Sequence, residues 1–237
     1  MNYYFITGTS SGIGKALVQE LLKYPQQQIV GLSRSNKLHE EEFTHYVMDL
    51  SKPSEVEAFE FSALQDAKKI VLVNNSGTLG EVKYVGRQSN QNIQDTMQVN
   101  FTSAAILINK FIKAYQACNC EKLIVNISSG AATSAYDGWA NYCSAKAALN
   151  MYTEAIAKEQ EHADKPVKVY AIAPGVVDTL MQDQIRETSS EQFSQIAKFQ
   201  DLKSNNQLYK AQDVARRLAE MIAAPHTIPS LISRIQL

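Results

Sequence analysis

The sequence predicts a doubly wound α/β fold, one parallel β-sheet with helices on both faces. Three observations carry this expectation. Strand-like and helix-like segments alternate along the whole chain. Several strand-like runs are apolar without a break, as strands covered on both faces require. The first of them leads straight into a glycine-rich turn and then a helix. The 237 residues suffice for one large domain with a full core, and no repeat, low-complexity stretch or linker divides residues 1–237.

The elements follow in order. Residues 3–7 are a short apolar strand, followed by a loop and a helix over 14–24. Residues 28–33 form a second strand, stopped by Arg34-Ser35-Asn36, and 45–48 a third, ending at Asp49. A helix is expected over 52–67, with Pro53 tolerated in its first turn. Ile70-Val71-Leu72-Val73 is a buried strand. A long helix covers 93–118, a buried strand 123–127 and a second long helix 140–161. Residues 167–172 are the sixth strand, stopped by Pro174-Gly175, and 230–237 hold a short edge strand.

Composition excludes several functions. Net charge is −1, from 23 basic and 24 acidic residues, with no basic tract of the kind that binds nucleic acid. No apolar run reaches membrane length. Cys118, Cys120 and Cys143 lack metal-ligand companions, and Cys118-Asn119-Cys120 is too tight for a zinc or thioredoxin-type motif. Reduced thiols and a cytoplasmic location without a metal are therefore expected. The first strand starts so early that no signal peptide is expected before it.

Chemistry concentrates in three places. Thr7-Gly8-Thr9-Ser10-Ser11-Gly12-Ile13-Gly14 lies between the first strand and the first helix. Glycines there permit a tight turn and let backbone approach a pyrophosphate, and the helix N-terminus supplies free amides, the arrangement of a Rossmann-type dinucleotide site. The second strand ends in Leu32-Ser33-Arg34-Ser35, without the acid that would bind ribose hydroxyls, and Arg34 can pair with a 2′-phosphate. This favours NADP over NAD, unless Arg34 is an ordinary surface arginine. Tyr142 and Lys146 stand at i and i+4, on one helix face. A free phenol titrates near ~10, so a neighbouring ammonium is expected to pull Tyr142 down and make it a tuned acid/base. Alone, the pair could equally be a packed tyrosine beside a solvated lysine.

Taken together these motifs resemble the short-chain dehydrogenase/reductase family over nearly the whole chain. The resemblance rests on the glycine loop, Asp49 after the third strand, Asn74-Asn75-Ser76-Gly77 after the fourth and Asn100 in the long helix. It extends to Ser129, thirteen residues before Tyr142, and to Pro174-Gly175 with Thr179. It implies NADP(H) contacts from Gly8, Ser10, Ser11, Gly12, Ile13 and Gly14, from Ser33 and Arg34, and from Asp49 and Leu50. It adds Asn75, Ser76 and Gly77, then Pro174, Gly175, Val177 and Thr179, with Asn100, Tyr142 and Lys146 beside the nicotinamide. It also implies that Tyr142 protonates an alkoxide, Ser129 orients the carbonyl oxygen, Lys146 tunes Tyr142 and Asn100 holds a water of the proton relay. Ser128 competes with Ser129 for that role, and the spacing to Tyr142 favours Ser129. Thr179 also suits a helix cap.

Residues 178–209 form an insertion that, by resemblance, covers the substrate. Met181, Ile185, Phe193, Ile196, Phe199 and Leu202 recur there at helical spacing, and core packing explains most of them. Met181 and Trp139 are the substrate-contact candidates, with Tyr136 a weaker third, beside Ser129 and Tyr142. The stretches 138–143 and 173–182 resemble sepiapterin reductases, and the second resembles bacterial benzil reductases more strongly. The tail 228–237 has no acid to grip a pterin. The expectation is an NADPH-dependent reductase of ketones or 1,2-diketones, a benzil-like carbonyl substrate. The alternatives are a pterin reductase and a non-catalytic NADP-binding sensor or scaffold. The resemblance also implies a homodimer or homotetramer built through the two long helices, where Ala104, Ala105, Ala147 and Ala148 would permit close packing or face the chain's own sheet.

Overall fold

The computed structural model describes residues 1–36, 38 and 40–237. Its strands are β1 (Asn2–Thr7), β2 (Gln27–Ser33), β3 (Phe43–Val47), β4 (Lys69–Asn74), β5 (Glu121–Ile127), β6 (Lys168–Ala173) and β7 (Ile232–Arg234). All pair in parallel, in the order β3-β2-β1-β4-β5-β6-β7. The order reverses between β1 and β4, and the crevice at their carboxyl ends is where such sheets bind ligands.

Alternation along the strands builds two cores. Tyr4, Ile6, Val71, Val73, Leu123 and Val125 point to one face, onto α1 (Gly12–Leu21) and α8 (Ala211–Ala223). Phe5, Ile70, Leu72 and Ile124 point to the other, onto Leu107, Ile108 and Phe111 of α4 (Ser103–Tyr115) and Ile156 of α5 (Ala140–Gln160). Both faces are covered, which explains the unbroken apolar runs.

The helix expected over 52–67 is much shorter. α2 spans Pro53–Ala58, and Phe59 is already extended at φ −71°, ψ 128°. Phe59 and Phe61, two apart, enter one aromatic cluster with Phe5, Phe111 and Tyr115, which an extended segment allows and a helix forbids. Lys110 Nζ donates to the Glu57 and Phe59 carbonyls at 2.7 and 2.9 Å, satisfying the early end.

The helix expected over 93–118 begins earlier and is not uniform. α3 (Asn90–Met97) starts where Ser89 Oγ accepts from Asn92 N. A π-helical turn, Gln98–Thr102, then leads into α4. Residues 178–209 leave the sheet framework and return to it. Their ends are pinned where Val177 pairs with Tyr209 and Asp178 N donates to the Tyr209 carbonyl at 2.9 Å. Between them lie α6 (Leu180–Arg186) and α7 (Ile196–Ser204). Ile185, Phe193 and Phe199 are buried there, joining Trp139 and Tyr142 in a third core.

Candidate active site

The glycine loop is built for close approach. A Cβ on Gly14 would lie 2.3 Å from the Gly8 carbonyl oxygen, so no side chain fits where α1 meets β1. Gly8 itself sits at φ +74°, a conformation that suits glycine. Thr7 Oγ1 accepts from the amides of Asn75 and Ser76, both at 2.9 Å, and Asn75 Nδ2 donates to the Thr7 carbonyl. The turn after β4 is thereby locked against the loop after β1. The Ser11 side chain makes no capping bond, so the first amides of α1 face the crevice without one.

A cleft of about 670 Å³ opens here. It is lined by the expected Gly8, Ser10, Ser11, Gly12 and Ile13, by Ser33, Arg34, Asp49 and Leu50, and by Asn75, Ser76, Gly77, Lys146, Pro174, Gly175, Val177 and Thr179. A glycine cradle, uncapped helix amides and a cleft of this size fit a dinucleotide. At the far end of β2, Ser33 Oγ donates to the Ser35 carbonyl at 3.1 Å and lies 2.9 Å from His45 Nε2, folding the bend that presents Arg34. Partial burial pushes the Asp49 carboxyl up. Hydrogen bonds from Ser51 and the charges of Arg34 and Lys52 outweigh this and hold it below its ordinary value.

Asn100 and Gly14 do not line the cleft; Asn100 lies behind it, within the π-helical turn. Its Nδ2 donates to the carbonyls of Thr78 and Thr96, both at 2.8 Å, and its Oδ1 accepts from Thr78 N at 3.1 Å. A Cβ on Gly77 would come within 2.9 Å of Asn100 Oδ1 and 3.6 Å of Lys146 Nζ. Gly77 therefore keeps open the space these two groups share.

The two adjacent serines separate cleanly. Ser128 Oγ donates to Asn150 Oδ1 at 2.6 Å in the interior. Ser129 begins the short turn Gly130–Ala132, accepts from Ala131 N and stands by Tyr142. Tyr142 and Lys146 lie on α5, both buried, with the ammonium 5.9 Å from the phenol ring centre. Lys146 Nζ donates to the Ile127 carbonyl at 2.8 Å. α5 is held on the sheet by a buried chain in which Asn74 donates to Asn126 and Asn126 to Thr153.

The expected lowering of the Tyr142 pKa is not what this arrangement yields. Burial raises the phenol above its ordinary value, and the Ser129 hydroxyl only partly opposes it. Burial lowers Lys146 from 10.5 to about 8. Both charged forms lose hydration in the same pocket, and desolvation outweighs the attraction expected between them.

Of the expected substrate contacts, Met181 lines the cleft, whereas Ser129, Trp139 and Tyr142 do not. Trp139 lies stacked between Tyr136 and Phe193, at 4.9 and 4.7 Å, with its edge to Tyr142. It backs the tyrosine rather than walling the cleft. Thr179 precedes α6 without a side-chain cap bond, so its hydroxyl is not spent on the helix. Leu79, Thr78 and Gln182, none of them expected, also line the cleft.

Asp137 was equally unexpected. Its carboxylate accepts from Ser194 N and Oγ at 2.8 and 2.9 Å and from the Tyr84 hydroxyl at 3.0 Å, joining three segments distant in sequence. Asp137→Asn is expected to lower the unfolding stability by about 1–2 kcal/mol, since a hydrogen bond to a charged group contributes about 1.5–3 kcal/mol and the amide keeps part of it. Denaturant unfolding would check this, and an unchanged midpoint would count against the clamp.

The family model for short chain dehydrogenases matches residues 2–190. The chain belongs to this family. It is therefore an oxidoreductase that works with a nicotinamide cofactor on a small-molecule substrate. It is 33% identical over 235 residues to benzil reductase ((S)-benzoin forming) of Bacillus cereus, with 94% of each chain covered. Sepiapterin reductase of Rattus norvegicus is 30% identical, covering 92% of this chain and 89% of that one. A crystal structure of a short chain dehydrogenase/reductase from Saccharomyces cerevisiae, 27% identical, superposes with a TM-score of 0.83 over 99% of this chain and 96% of the other. Among the described residues no helix is long and apolar enough to cross a membrane, and no three His, Cys, Asp or Glu side chains are grouped to hold a metal ion.

Proposed function

We propose that this family member is an NADPH-dependent carbonyl reductase acting on ketones or 1,2-diketones of the benzil type. One observation carries the reading. Ser129, at the turn after β5, stands by Tyr142, which shares α5 with Lys146, and Lys146 lines a cleft built around a glycine cradle. When bound, the reduced nicotinamide supplies hydride to the carbonyl carbon. Ser129 donates a hydrogen bond to the carbonyl oxygen, where negative charge grows. Tyr142 transfers its proton to that oxygen, completing the alcohol. Its raised pKa keeps the proton in place at neutrality until the alkoxide forms. Lys146 holds charge beneath the site, and the lone pair left on Asn100 Oδ1 faces the gap beside Gly77, where a water can return the proton.

The preference for NADPH rests on Arg34, exposed at the end of a strand that carries no acid. Arg34→Ala is expected to weaken NADPH binding by roughly tenfold or more and NADH binding little, because charge-assisted phosphate contacts contribute about 1.5–3 kcal/mol. Fluorescence titration with both cofactors would show it, and equal losses would reject the assignment.

The diketone reading draws on the benzil reductases among the relatives and on Leu79 and Met181, which line the cleft and pack with the aromatic cluster of Trp139, Phe193 and Phe199. Substrate closure is assigned on this reading to residues 178–209, whose α6 and α7 pack with Trp139 through Ile185 and Phe199. Sepiapterin reductases are also relatives, but the stretch 228–237 offers no acidic side chain for a pterin. A homodimer or homotetramer through α4 and α5 is proposed on the same footing, with Met151 exposed on α5 and Ala104 turned into the chain's own core.

A further inference from the structure

One polar side chain in the cleft has no use in the chemistry described so far. Gln182, on the first turn of α6, is only 7% exposed. It lines the same cleft as Lys146, Thr179, Met181 and Leu79. Its backbone amide is spent on the Thr179 carbonyl at 2.8 Å. Its side-chain Oε1 is buried, and among the described residues nothing donates to it. A buried amide oxygen without a partner is unfavourable, and folded chains rarely keep one unless something else completes it.

We propose that the Gln182 amide is the contact for the second oxygen of a vicinally dioxygenated substrate. The inference rests on the reductase reading above and narrows its substrate class. In that reading the reacting carbonyl oxygen is already held by Ser129 and Tyr142. A simple ketone has no other oxygen to offer. A 1,2-diketone presents a second acceptor, and its hydroxyketone product presents both a donor and an acceptor. A carboxamide meets each of these, because a half-turn about its last bond exchanges its N–H and C=O groups. Leu79 and Met181 line the cleft with it; Gln184, a polar neighbour in the same lining, already donates to the Gly80 carbonyl at 2.8 Å, whereas the Gln182 oxygen is unspent, and a few placed polar groups among apolar ones are how small-molecule sites fix orientation.

The test compares two ketones on one carbon skeleton, 1-phenyl-1,2-propanedione and 1-phenyl-1-propanone. Both are reduced with NADPH by the parent, Gln182→Met and Gln182→Leu. Loss of the contact is expected to lower kcat/KM for the dione by about tenfold or more in both variants. The rate on the one-oxygen ketone and the NADPH dissociation constant, followed by fluorescence, should stay within about twofold. A parent already inactive on the one-oxygen ketone, with the dione rate lost in both variants and NADPH binding kept, supports the proposal equally. Equal losses on the two ketones, or weakened NADPH binding, would overturn it by making Gln182 a cofactor contact or a packing residue. If the parent reduces the dione and the variants match it, this inference alone fails. If the parent reduces neither ketone, the reductase reading fails and takes the inference with it.

Discussion

Replacing Tyr142 with phenylalanine is expected to lower kcat by about 10²–10⁴-fold, the contribution of a positioned acid/base. The change removes one hydroxyl and leaves the packing intact, because the ring is held edge-on by Trp139 at 6.1 Å and is itself buried. NADPH binding should therefore survive, since the glycine cradle and Arg34, proposed above to hold the cofactor's phosphates, are untouched. Monitoring NADPH consumption with a diketone, alongside cofactor titration, separates the two effects. Turnover equal to the parent's would show that another group delivers the proton.

The second large effect is on stability, and it runs through Lys146. Its pKa is 10.5 when exposed and about 8 in the fold, lowered by burial. The unfolded chain therefore binds more protons than the folded one between these values, and stability rises with pH across that window. The penalty is fully present below pH 8 and disappears as pH rises through 10.5. At about 1.4 kcal/mol per unit, the cofactor-free protein should gain about 2–3 kcal/mol between pH 7 and pH 10 relative to Lys146→Met. Tyr142 contributes with the opposite sign, but only above pH 10, because its folded value is raised. Denaturant unfolding of both proteins at a series of pH values would reveal the difference. Parallel curves would mean that Lys146 keeps its charge in the folded state without penalty. The lysine thus costs stability where it is used, as functional groups in buried sites commonly do.

Sequence reading reached furthest where one residue type serves one constraint. Unbroken runs such as Ile70–Val73 mark strands covered on both sides; the first six expected strands exist within a residue or two of the expected ends, and the edge strand expected over 230–237 is confined to Ile232–Arg234. The glycine loop and the pairing of Tyr142 with Lys146 were legible as a candidate site, because a Cβ at Gly14 is impossible and residues at i and i+4 share a helix face. Reading failed where tertiary contacts overrule local preference. Nothing before Phe59 announces that α2 will stop there; Phe5, Phe111 and Tyr115, distant in sequence, require the extended form. Asp137 and Ser194 are 57 residues apart and meet only once the excursion has folded. The direction of the Tyr142 shift was missed for a related reason. The i, i+4 spacing reveals a neighbour, but it does not reveal that both partners are cut off from water.

The π-helical turn at Gln98–Thr102 sets two azimuths on one rod. A single surplus residue carries the segment before it about 100° around the axis from where an even pitch would place it. Downstream, Leu107, Ile108 and Phe111 obey the demands of the apolar interior. Upstream, Asp95 lines the ligand crevice, as does Val99 within the turn itself. A mutation that ironed out the surplus would leave the interior seated and misdirect the upstream side chains, so the protein would keep its fold and lose its catalytic geometry.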